Sequence, residues 1–140
     1  MASEEDARKI LVQIEYSRRQ MEALSKQGQL LESAVAELNA TIEALKDISN
    51  QKPGAEMMVP VGAGAFVRAS LKGTETVLVG VGAEMSVERN MPEAVETLQE
   101  RMKQLQQSYG SVQKTLGELA MRLQELNSQA EQMIGRTAQQ

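Results

Sequence analysis

The chain has 140 residues, a formal charge of −4 and an apolar share of 41%, with Tyr16, Phe66 and Tyr109 as its only aromatic residues. This excludes the usual aromatic-rich globular core, and the Gln, Glu, Leu, Ala and Lys bias is that of long helices and coiled coils. With no Cys and no His, disulfides, thiolate metal sites and imidazole chemistry are excluded, and the acidic balance lacks the basic face that nucleic-acid binding needs.

The opening "MASEEDARKI" is acidic and has no apolar run, so it does not read as a secretory signal. No stretch approaches the roughly 20 apolar residues that cross a bilayer. The expectation is a soluble, cytoplasmic chain with no membrane contact. Three segments follow one another: a helix over 1–51, a glycine-rich β-type stretch over 52–91 and a second helix over 92–140.

The first helix is expected from Ser3 to about Ile48. Ser3 with Asp6 three residues on resembles an acidic capping box. Its seam reads Ala7, Ile10, Ile14, Ser17, Met21, Leu24, Gly28, Leu31, Val35, Leu38, Ile42, Leu45, in steps alternating between three and four. That is the spacing of a left-handed supercoil. "SNQKPG" ends it, since Pro53 has no backbone donor and Gly54 suits a left-handed turn.

The middle segment, Glu56 to Glu88, changes its period from seven to two. "MMVPVGAGAFVRASL" and "TETVLVGVGAEMSVE" each read as two short strands around glycines, with Gly62-Ala63-Gly64 and Gly82-Ala83 as turns and "KGTE" as the link. Val67, Ala69 and Leu71 alternate on one face, as do Val77, Val79 and Val81. Four short strands do not bury a two-sided apolar sheet, and hairpin edges invite another chain. Oligomerisation through Val59, Val61, Phe66, Val67, Leu71, Val77, Val79 and Val81 is therefore expected.

The last segment begins at Pro92, a residue suited to a first helical turn. Its seam is Val95, Leu98, Met102, Leu105, Tyr109, Val112, Leu116, Leu119, Leu123, Leu126, Ala130, Met133, as long as the first. Two helices of about 45 residues each reach roughly 65–70 Å. Folded back on each other, they place Leu45 near Val95 and Ile10 near Ala130, with both chain ends at one tip. Gly28 then lies opposite Tyr109 to Val112, near Gly110. Mid-helix glycines cost about 1 kcal/mol each, which marks a place to bend; alternatively Gly28 makes room for the Tyr109 ring.

The motifs that could carry chemistry fare poorly. "VGAGAF" and "GVGAEM" do not open helices as phosphate-cradling loops must, and no Gly-Lys-Ser/Thr occurs. Acid pairs such as Glu4-Glu5 lack a pocket that would split their pKa values. No catalytic, cofactor-binding or metal-binding residue is assigned, and an enzyme is not expected. Apolar residues off the seams are more telling. Leu11, Val12 and Tyr16 on the first helix and Ile134 on the second gather at the free tip beside Ile10 and Met133. They read either as extra packing at fraying ends or as an adaptable patch that grips another protein.

Helix, two β-hairpins, helix, with matched seams, resembles the prefoldin family, specifically its α class, since the β class has one hairpin. The most specific piece is "MMVPVGAGAFVRASL", similar to the family's apolar-Val-Pro-Leu-Gly-x-Gly hairpin with Val61 in place of leucine. The resemblance implies a mainly α fold: a long antiparallel coiled-coil hairpin with two β-hairpins at its base that assemble into an intersubunit β-barrel. It implies a hexamer of two α-type and four β-type subunits that holds unfolded proteins at its tips and passes them to a group II chaperonin without nucleotide. The corresponding tip residues are Ile10, Leu11, Ile14, Met133 and Ile134. The alternatives are a homo-oligomeric, filament-forming relative and a purely structural coiled-coil assembly module.

Overall fold

In the computed structural model, residues 4–138 are described, their side chains as far as Gly135. Ser3, the expected cap of the first helix, lies outside the described residues. The elements in chain order are helix α1 (Glu4–Ser49), strands β1 (Glu56–Gly62), β2 (Ala65–Ser70), β3 (Thr76–Gly82) and β4 (Met85–Asn90), and helix α2 (Met91–Ala138).

Glu4, Glu5 and Asp6 occupy the first turn of α1 and Lys46 its last, each complementing the local end of the helix dipole. Burial follows the seam closely. All twelve seam positions of α1 are buried or half-buried, and the remaining described residues of that helix are exposed except Ala34 and Ile48. The twelve seam positions of α2 are likewise covered. Apolar side chains repeating every three and four residues thus form one stripe per helix, and burying that stripe is what stabilises helices of this length.

The chain divides into two compact units. One holds α1 up to Ser33 and α2 from Leu105 onward. Within it the helices run antiparallel: Ala7 and Leu11 line the same concavity as Ala130, Met133 and Ile134, while Gly28 faces Tyr109, Val112 and Gln113. A Cβ on Gly28 would meet Val112 Cγ1 at 3.5 Å and Tyr109 Cε2 at 4.0 Å, which is ordinary contact. Room for the Tyr109 ring therefore does not require glycine there, and α1 runs through Gly28 as unbroken helix.

The other unit spans Ala34–Gln104. Its core is Ile42, Leu45, Met91 and Leu98, with Leu38, Ile48, Val77, Val95 and Met102 packed around it. Each fully buried side chain of this kind contributes about 1.5–3 kcal/mol. α1 ends in a tightened turn, where Asn50 N donates to Asp47 O and Gln51 N to Ile48 O, and Ser49 Oγ donates to Lys46 O. Gly54, at φ +89°, then turns the chain so that its N–H donates to Leu71 O. α2 starts one residue before Pro92, capped by Asn90, whose Oδ1 accepts from Glu93 N at 2.9 Å.

The strands form two separate antiparallel hairpins, β1–β2 and β3–β4. Their registers match pair for pair: Val59↔Val67 in the first corresponds to Val79↔Val87 in the second, and each ladder shifts before its turn, at Pro60/Gly62 and Gly80/Gly82. Arg101 Nη2 on α2 donates to Gly80 O at 3.1 Å, tying β3 to the helix.

Candidate functional site

The first unit carries an apolar patch where α1 begins and α2 nears its end. Ala7, Leu11, Ala130, Met133 and Ile134 line a small concavity. Around the side of α1, Leu11, Val12, Glu15, Tyr16 and Arg19 line a shallow groove. Leu11 belongs to both, so the two surfaces are continuous. Leu11, Val12, Tyr16 and Ile134 are between 58% and 69% exposed. This exposure follows from the spacing, because a helix pair has no third layer to cover residues one position off the seam.

Two side-chain hydrogen bonds run along α1 beside the groove. Gln20 Nε2 donates to the Tyr16 hydroxyl at 3.1 Å, and Arg19 Nε donates to Glu15 Oε1 at 3.2 Å. Both bonds run along α1 between residues four apart, which leaves the phenol ring and the flanking Leu11 and Val12 facing solvent.

The tip residues expected from the sequence are not equivalent. Leu11 and Ile134 are exposed, and Ile10 and Met133 are half-buried. Ile14 is 6% exposed, inside the seam, and its side chain does not reach the patch surface. Val12 and Tyr16 extend the patch instead. The signal for them was the same as for Leu11, an apolar residue off the heptad positions. Met121 is also exposed but lies outside both surfaces.

The second unit carries the hairpin surfaces. Of the residues expected to drive assembly, Val59, Val61, Phe66, Val67 and Val81 are exposed. Leu71 and Val77 are half-buried, Val77 against the helical core, and Val79 is buried at 6%. Those three are covered within the chain. Val81 sits where the ladder shifts rather than in regular alternation with Val77 and Val79. Met57, Met58, Leu78, Met85 and Val87 are exposed too and enlarge the apolar surface. Both faces of the first hairpin are therefore apolar and open, a state in which a two-stranded sheet is marginally stable at best in water.

Among the described residues, no group of three or more acidic side chains is placed to hold a metal ion, and no helix is long and apolar enough to cross a membrane.

Comparison with known proteins agrees with this geometry. The family description "prefoldin subunit" matches residues 17–136. Prefoldin subunit alpha of Thermofilum pendens is 44% identical over 86 residues, covering 61% of this chain and 67% of the relative. That of Methanosarcina barkeri is 40% identical over 106 residues, 74% of each chain. Among solved structures, a filamentous prefoldin from Methanocaldococcus jannaschii matches with a TM-score of 0.73 at 24% identity, over 83% of this chain and 96% of that one. The prefoldin beta subunit from Thermococcus strain KS-1 matches at 0.59 and 19% identity, over 91% and 90%. These two share the fold of this chain. On the sequence match over most of its length, the chain belongs to the prefoldin family.

Proposed function

We propose that this chain is an α-type prefoldin subunit acting as an ATP-independent chaperone in the cytoplasm. Its hairpins join those of a second α-type and four β-type subunits, and the apolar patch of each helix pair holds unfolded polypeptide for transfer to a group II chaperonin. The observation that carries this reading is the continuous patch of Leu11, Val12, Tyr16 and Ile134, exposed where the two helices end together. Such a patch is adaptable rather than shaped: each side chain it buries on a client contributes on the order of 1 kcal/mol. Single contacts are weak and reversible. Several linked patches raise overall affinity by about 10²–10⁴ without any tight contact, and weak contacts let the client pass on.

The test is Leu11→Ser with Ile134→Ser, in the complex formed with a β-type subunit. Light scattering of an unfolding client should show suppression weakened several-fold at equal concentration, with the mass of the complex unchanged by native mass spectrometry. A complex that falls apart would make the patch structural. Unaltered suppression would place client binding elsewhere.

A further inference from the structure

Charged residues at the start of α1 repeat with reversed sign about the midpoint of Leu11 and Val12: Glu4 and Glu5 mirror Arg19 and Arg18, and Arg8 mirrors Glu15. The seam of Ala7, Ile10, Ile14 and Ser17 is buried or half-buried, so the opposite side of α1 is its outward face. Glu5, Val12 and Arg19 run along the centre of that face. Arg8 and Glu15 flank the line on one side, with Glu4, Leu11 and Arg18 beyond them, and Lys9 and Tyr16 flank it on the other. All are exposed, Leu11, Val12 and Tyr16 by 58%, 68% and 62%. Asp6 lies off to the side, in line with Gln13 and Gln20. Of α2, Glu118, Arg122, Glu125 and Glu131 lie at the same level, but none lines the concavities at this end.

A face of this kind fits itself when reversed. In an antiparallel pair each line of residues meets its own counterpart, so Glu5 meets Arg19 of the other copy, Glu4 meets Arg18, and Arg8 meets Glu15. Lys9 meets the Tyr16 ring, whose face attracts a cation. Leu11 and Val12 fill the centre. Arg19 Nε already binds Glu15 Oε1 at 3.2 Å. The contacts therefore join into a chain of alternating charge, from the other copy's Glu5 through Arg19 and Glu15 to the other copy's Arg8. A parallel pair would set acid on acid and base on base at every level.

We infer that the outward face of α1, from Glu4 to Arg19, docks antiparallel on the same face of another copy of this chain, about a two-fold axis beside Leu11 and Val12. The hairpins take no part in this contact. Leu11, Val12 and Tyr16 then face either a second copy or a client, so the pairing covers the patch until a client displaces it. That consequence rests on the client reading; the pairing itself does not.

The chain has no cysteine, so a single Val12→Cys places one thiol beside the axis. Helices packed about 8–10 Å apart bring such positions within disulfide reach. Mild oxidation of the full chain should link V12C to itself, whereas Leu30→Cys, 73% exposed further along α1, should not link. Adding R18E and R19E opposes glutamates across the pair and should cut the V12C yield about tenfold. Adding E4R and E5R instead opposes arginines and should do the same. An equal mixture of the two charge variants restores opposite charges at both ends and should link at the yield of V12C alone. Equal linking by V12C and L30C, yields unmoved by either charge change, or a mixture no better than its components would overturn the inference. Every arm is read without client, so failure here leaves the light-scattering test of the patch standing, and failure there leaves the cross-link standing.

Discussion

Glu84 occupies backbone that side chains rarely adopt, with φ at +61°, and Ala83 before it holds +51°. The equivalent turn of the first hairpin runs Ala63 at +51° and then Gly64 at +79°. Positive φ at both central residues is the tight hairpin turn whose twist matches the flanking strands. Glycine adopts it freely, whereas a side chain there costs roughly 1–2 kcal/mol. Glu84→Gly should therefore slow hydrogen exchange of the β3–β4 amides about fivefold, and Gly64→Glu should quicken that of β1–β2 by a similar factor. Exchange unmoved by both changes would mean that neither turn limits hairpin opening. At this scale the patch was legible wherever a residue broke the heptad pattern. Leu11, Val12, Tyr16 and Ile134 did so, and all are exposed. Ile14 keeps the pattern, and grouping it with its neighbours by proximity at the tip overlooked that a seam position points inward.

The helices were legible as elements because their stabilisation is a repeating stripe. Twelve matched positions on each helix fix both the buried side and the antiparallel partner. What does not belong to the stripe is informative as well. Gly110 and Gly117 lie inside α2, and a Cβ added at either meets nothing within 4 Å. No packing requirement keeps them as glycine. Replacing both with alanine should stabilise the chain by about 2 kcal/mol and raise Tm by several degrees, read from the loss of helical circular dichroism. An unchanged Tm would indicate that α2 is already open at these residues in solution. The hairpins were harder to read. Their turns and their link announce themselves through glycine, but Val59 and Val79 are the same residue at equivalent places, and one is 37% exposed while the other is 6%. Val77, on the same face of β3 as Val79, packs against the helical core of Ile42, Leu45, Met91 and Leu98. Alternation within a strand carries no trace of that packing. The Asn90 cap was hidden for a related reason: Pro92 marks a first turn, but only the geometry shows which upstream side chain reaches the Glu93 N–H.

For the whole molecule, the question is where stability resides before assembly and where it is gained afterwards. The Ile42, Leu45, Met91 and Leu98 core is complete within one chain. The hairpins are not, because a two-stranded sheet with apolar residues on both faces is marginal until something covers it. A partner that binds only the folded hairpin stabilises it by mass action, about a hundredfold in the opening equilibrium when the partner is at about a hundred times its dissociation constant. Hydrogen exchange of the lone chain and of its complex with a β-type subunit should therefore differ unevenly. The amides of β1 and β2 should exchange quickly alone and be slowed by about that factor in the complex. Those of β3 should gain less, since Val77 and Val79 are already covered. Helical amides around Ile42 and Leu98 should change least of all. Equal gains in the first and second hairpins would mean that the burial of Val77 and Val79 confers no protection in solution. Gains concentrated in the helices would make their outer faces, and not the hairpins, the surface through which subunits join.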